Sequence, residues 1–160
     1  MLIGRSDYIN SLLYIKERDI MISGSEYGNL RLWNMSTYQC VTIINGVYCT
    51  SPNSLYRLDK DRLIVGGEES VTIVNIDKCV IETIIKDESI RSVYCFLKLR
   101  DDNTIVIGSS KATLCFYDMN TEQCKAIEAN NDEEIYDLLS IDDSTFLSCS
   151  LSNKIQVWKY

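Results

Sequence analysis

The sequence has no histidine and only one proline in 160 residues. Without His the commonest general base is missing, and with it the Ser–His–Asp and Cys–His arrangements. None of the seven cysteines forms a C-x-x-C pair, so zinc-knuckle spacing is also absent. Apolar runs stop at about five residues, as in Val93–Leu97, far short of a membrane span. Residues Met1–Tyr8 show no basic region followed by a long apolar core, which excludes a secretory signal there. Lys and Arg number 16 against 23 Asp and Glu, a net charge of −7, and the basic residues are scattered. A phosphate backbone needs clustered Lys and Arg, so nucleic acid is not an expected partner. No glycine-rich loop leads into Lys-Ser or Lys-Thr; Gly66-Gly67 runs into Glu68-Glu69 instead. These absences predict a cytoplasmic protein that is not an enzyme, binds no cofactor or metal, and keeps its cysteines reduced and buried as small hydrophobes.

What the chain does have is a repeat. The stretch Ile22–Asn34, ISGSEYGNLRLWN, reads as two strands joined by the turn Glu26-Tyr27-Gly28-Asn29. It returns as IVGGEESVTIVN at 64–75, VIGSSKATLCFYD at 106–118 and LSCSLSNKIQVWK at 147–159. The small residue before each turn falls at Gly24, Gly66, Gly108 and Cys149, in steps of 42, 42 and 41. The bulky residue near the end of each second strand falls at Trp33, Val74, Tyr117 and Trp158. A further apolar run precedes each hairpin, at Ile9–Ile15, Leu55–Leu58, Ile90–Leu99 and Ile135–Ile141. Another follows three of them, at Val41–Ile44, Val80–Ile85 and Lys125–Ile127. Each unit is therefore four antiparallel strands, and with no helical stripe anywhere the chain reads as all-β.

A period near 42 with four strands per unit resembles the WD-repeat β-propeller family. Gly4-Arg5 stands where that family has Gly-His. Ser23-Gly24-Ser25 and Gly108-Ser109 match its small-residue cluster. Trp33-Asn34 and Tyr117-Asp118 stand at its Trp-Asp, and Trp158-Lys159 keeps only the Trp. The hairpin-turn Asp is replaced by Tyr27, Glu69, Lys111 and Ser152. The resemblance implies a propeller of four-stranded antiparallel blades, here four, with units near 5–46, 47–87, 88–129 and 130–160 plus 1–4. In this reading the N-terminal strand Met1–Gly4 completes the last blade. With no His, the family's Asp–His–Ser–Trp hydrogen-bond network is not expected in any blade, so thermal stability should be modest.

Four blades are few for this family, and an open arc would expose apolar faces at its ends. Three outcomes are open: two chains joining as an eight-bladed ring, one chain closing as a four-bladed ring, or a piece of a longer propeller. The register of the termini favours the dimer.

The resemblance also implies a non-enzymatic scaffold that grips a peptide or loop of a partner protein on its narrow face. The alternative is a self-assembling half-propeller whose main partner is a second copy. On that face the sequence places Tyr8, Tyr27, Tyr48 and Tyr136, with Glu26, Glu68, Glu69, Arg91, Lys111 and Glu134 around them. Tyrosine gives a large contact area at low entropic cost, and the acidic excess fits a basic or mixed peptide. Trp33, Tyr117 and Trp158 repeat at blade spacing and read as packing residues. The carboxylate pairs Glu68-Glu69, Asp101-Asp102, Glu133-Glu134 and Asp142-Asp143 read as solvated turns, since none has calcium-loop spacing.

Overall fold

The structure, a computed structural model, describes residues 8–49, 54–129, 133–151 and 154–160. Among these residues fifteen strands form four antiparallel sheets, each a simple meander. The first sheet holds β1 (Ile9–Ile15), β2 (Ile20–Ser25), β3 (Asn29–Asn34) and β4 (Gln39–Asn45). The second holds β5 (Leu55–Arg57), β6 (Arg62–Gly66), β7 (Val71–Asn75) and β8 (Val80–Ile85). The third holds β9 (Val93–Lys98), β10 (Thr104–Ser109), β11 (Thr113–Asp118) and β12 (Gln123–Glu128). The fourth has three strands among the described residues, β13 (Ile135–Ser140), β14 (Thr145–Ser150) and β15 (Ile155–Lys159). Among the described residues the one helical element is a single 3-10 turn, Lys16–Arg18, between β1 and β2.

The sheets stack face to face in chain order, and three apolar layers fill the gaps between them. Ile15, Ile22, Leu30 and Leu32 of the first sheet pack on Leu55, Leu63, Val65 and Val74 of the second. Ile64 and Ile73 meet Phe96, Ile105, Ile107 and Tyr117. Leu97, Val106 and Leu114 meet Ile135, Leu138 and Phe146, with Trp158 against them. The strands pair in a two-residue rhythm, so each sheet sends alternate side chains to opposite layers. The main contacts between sheets run first to second, second to third and third to fourth. None of similar extent joins the fourth to the first among the described residues. The multi-blade, all-β architecture read from the repeat is therefore present as four successive blades, without a closed ring. The strand assigned to Met1–Gly4 lies outside the described residues.

Three local devices recur at the repeat spacing. The first is a close approach at glycine. A Cβ on Gly24 would lie 2.6 Å from Cys49 Sγ, on Gly66 2.6 Å from Val93 Cβ, and on Gly108 2.9 Å from Ile135 Cγ2. Each of these glycines receives the segment that enters the next blade. The second device closes the turn before each outer strand. The side-chain oxygen of Asn34 accepts the N–H of Thr37, that of Asn75 accepts Asp77 and Lys78, and that of Asp118 accepts Asn120 and Thr121. Four residues after each, Tyr38, Cys79 and Glu122 take left-handed backbone at φ 58, 57 and 57°. This is the structural work of the Asn or Asp that follows the bulky residue in the first three repeats. The third device is a hydrogen bond from the indole: Trp33 Nε1 donates to Ser23 Oγ at 2.9 Å, buried, and Trp158 Nε1 to Ser148 Oγ at 2.8 Å, part-buried. The expectation of no such network holds for the Asp–His half only. The Trp–Ser half survives in the first and fourth blades because it needs only a hydroxyl on the neighbouring strand.

The cysteines divide. Cys49, Cys95 and Cys115 are buried, Cys124 and Cys149 are half-buried, and Cys40 and Cys79 are exposed. Reading all seven as buried hydrophobes therefore fails at Cys40 and Cys79, which lie at and just before the start of solvent-facing outer strands. At the outer end of the first two sheets, Arg18 pairs with Asp61 and Asp77, and Arg57 with Glu17, tying one blade to the next.

Candidate partner-binding face

The turns that join the second and third strands of each blade lie beside the links that enter the next blade. Backbone bonds hold this arrangement. Gly46 and Val47 donate to the Gly28 carbonyl, and Cys49 donates to that of Ser25. One repeat later, Val93 donates to the Gly67 carbonyl at 3.1 Å. Gly28 sits at φ 82°, and a Cβ there would lie 2.7 Å from the Tyr48 ring, so the turn and the link pack without a gap. Tyr8 stacks on Tyr27 with ring centroids 6.4 Å apart. Three of the four tyrosines expected on this face thus gather around one turn, Glu26–Asn29, and all three are exposed.

Beside them is a cleft of about 460 Å³, lined by Glu26, Tyr48, Glu68, Glu69, Ser70 and Ser92. Four of the ten residues expected at the site line it, and none of the described lining residues is cationic. A second cleft shares Glu69 and continues to Lys86, Asp87, Glu88, Ile90, Arg91 and Lys111. Lys111 donates to the Glu88 carbonyl, and its charge lies near Asp87. Bonds from the Ser89 hydroxyl and N–H hold Asp87 below the usual carboxylate range, outweighing its partial burial, and Lys111 adds to the effect. The face therefore runs from acidic at the first two blades to mixed at the second and third.

Tyr136 and Glu134 form a separate group. The Tyr136 hydroxyl donates to Glu134 at 2.5 Å, and that bond pushes the phenol up to about 12. Tyr136 stacks on Tyr94 at 4.9 Å with the rings nearly parallel. Burial first, then the Glu134 charge, raises Tyr94 as well. Neither ring of this pair, nor Glu134, lines the acidic cleft. Tyr94, Ser70 and Ser92 were not singled out from the sequence. Tyr94 lies 42 residues before Tyr136, one repeat away, and that spacing is the signal that marks it.

The carboxylate pairs serve different ends. Asp101 and Asp142 accept N–H groups two residues on and so close turns, while Glu68 and Glu69 line the clefts. Among the described residues no group of three or more His, Cys, Asp or Glu side chains is placed to hold a metal ion. No helix among them is long and apolar enough to cross a membrane.

The fold and face together define an all-β protein of serial antiparallel blades with a polar, aromatic turn side. No protein-family model matches the chain. A CCR4-associated factor 4 homolog from Candida glabrata is 29% identical over 74% of this chain, which spans only 22% of that protein. Among solved structures, the computationally designed Ika4 protein superposes with a TM-score of 0.78 at 20% identity, over 99% of this chain and 95% of its own. The designed Ika8 protein gives 0.76, also at 20% identity, over 99% of this chain and 48% of its own. These two likenesses concern the fold alone.

Proposed function

We propose that the chain is a non-enzymatic interaction module of the WD-repeat type that receives a peptide or loop of a protein partner on its turn side. The observation that carries this reading is the convergence of Glu26, Tyr48, Glu68 and Glu69 on one cleft, with Tyr8 and Tyr27 stacked beside it. Carboxylates without a cation among the described lining residues favour a Lys or Arg side chain of the partner, and exposed tyrosine rings supply apolar contact around it. The lack of histidine removes the usual acid–base chemistry. The Candida glabrata relative is a CCR4-associated factor 4 homolog, a description that accords with such a role. Seven free thiols suit a reducing, cytoplasmic setting.

The test is fluorescence anisotropy with a labelled hexapeptide carrying two arginines, against the same peptide carrying citrulline. Binding of the arginine form should weaken about tenfold in the Glu68→Gln plus Glu69→Gln variant, and should weaken with added salt. Tyr48→Ala should weaken it as well. Equal binding of the two peptides, or affinity indifferent to salt and to both variants, overturns the reading.

A further inference from the structure

The repeat allows each buried interface position to be matched with its counterpart at the ends of the stack. Register places Leu139, Ile141, Leu147, Ile155 and Val157 of the fourth sheet where the first has Leu13, Ile15, Ile22, Leu30 and Leu32. The first-sheet set forms its side of the interface with the second sheet. Ile15 and Leu30 are 0% exposed there, whereas Ile141 and Ile155 are 56% and 70% exposed. The opposite end shows the mirror case. Leu138 is 7% exposed against the third sheet, but its first-sheet counterpart Leu12 is 62% exposed, beside exposed Tyr14 and Ile43. One end of the stack therefore carries the forward face of a blade and the other end the backward face. Those are the two mates of an interface that the chain already builds three times internally.

We propose that these end faces are two halves of one further blade-to-blade interface, and that a second copy of this chain completes it. The forward face of each copy packs on the backward face of the other, around a two-fold axis, giving a ring of eight sheets. The occupant follows from the faces themselves. A forward face needs a backward face, and the other end of the same chain carries one of matching strand pattern. Within one chain these two ends remain uncovered in the structure, as the exposures show. The four-sheet unit spans 95% of the Ika4 chain but 48% of the Ika8 chain, so in the latter it occupies half of a longer fold. Apolar faces of this extent, left in water, carry a cost that burial against such a mate removes.

The test is solution mass by sedimentation, with two variants at positions already exposed in the single chain. Leu12→Glu marks the backward face and Val157→Glu the forward face. The unmodified chain should run near twice its 18.3 kDa. Each variant alone should associate at least about 100-fold more weakly, because a carboxylate is buried without a partner. An equimolar mixture of the two should regain dimer, since one of the two contacts then joins two unmodified faces. Circular dichroism of each variant should match that of the unmodified chain. A monomeric unmodified chain overturns the proposal. So do a dimer sensitive to only one variant, which would indicate pairing of like faces, and a mass that climbs beyond two copies with concentration, which would indicate an open stack.

Discussion

Replacing Gly66 with Ala tests the first repeat device directly. The backbone at Gly66 is not left-handed, so an alanine there meets no conformational strain and only the neighbours matter. Its Cβ would lie 2.6 Å from both Cβ and Cγ1 of Val93 and 3.1 Å from Ser54 Cβ. Ordinary carbon contacts sit at roughly 3.5–4.0 Å, so the overlap with Val93 is about 1 Å. Rotating Val93 does not help, because its Cβ is fixed to the backbone. Moving that backbone stretches the 3.1 Å bond from the Val93 N–H to the Gly67 carbonyl. Overpacking of this kind costs about 1–3 kcal/mol, and the loss of unfolded-state freedom on Gly-to-Ala exchange returns about 0.4–1 kcal/mol. The net expectation is a loss of about 1–2 kcal/mol, or about 2–8 °C in Tm for a chain of this size. The assay is urea unfolding followed by circular dichroism, with Gly67→Ala as control. At Gly67 the nearest atom to a new Cβ is the Ser70 carbonyl oxygen, at 3.2 Å. A Gly66→Ala variant as stable as the unmodified chain, or no weaker than Gly67→Ala, would refute the reasoning.

Other expectations follow from the same geometry. Ser23→Ala leaves the Trp33 indole N–H buried without its acceptor and should cost about 1–3 kcal/mol, while Ser23→Ala with Trp33→Phe should cost less than the two single changes added; additivity in a double-mutant cycle would count against the bond. In the native chain a thiol reagent should label Cys40 and Cys79 quickly, and Cys95 and Cys115 only on unfolding, the bond that Cys115 donates to Cys124, and then burial, raising the Cys115 thiol, and burial raising Cys95; rapid labelling of all seven would contradict the packing. Asp101 and Asp142 both lie below the ordinary carboxylate value of 3.8. Burial opposes the shift at Asp101, but bonds from Thr104 and Asn103 outweigh it; at Asp142 the Ser144 N–H leads. Carboxylates lowered on folding add stability that is fully present above about pH 4 and is lost as pH falls through the lower folded values. Urea midpoints should therefore be unaffected by these two groups between pH 7 and 5 and drop below about pH 4, less steeply in Asp101→Asn.

The blades were legible because hydrophobic alternation and turn residues return every 42 positions or so, and β1 and β8 follow the apolar runs that mark them residue for residue. β9 is shorter than its run because Ile90 sits in a turn, where its N–H bonds to the Asp87 carbonyl. The Trp–Ser bonds persist without His because the indole N–H needs only a serine hydroxyl on the neighbouring strand, a pairing that depends on register rather than on composition. At the candidate site, Glu26, Tyr48, Glu68 and Glu69 were legible from their repeat position in turns. Their convergence was not, because it depends on Gly28 letting the Tyr48 ring press against the turn, a contact between segments some twenty residues apart. Exposure of Cys40 and Cys79 was missed for a simpler reason: an outer strand has one neighbour instead of two, and composition does not say which strand is outermost.

The serial stacking of sheets bears on how the chain opens. Among the described residues the main contacts of each sheet run to its predecessor and its successor, so cooperativity travels along one dimension. β7 is buried at every position, clamped from both sides, whereas β15 alternates between exposed and half-buried. Amide hydrogens should exchange in a graded order, β15 first and β6 and β7 last, with sub-global opening spreading inward from the ends of the arc. Capping those ends would lift the protection of β13–β15 towards that of the centre, so the exchange profile reads out assembly without measuring mass.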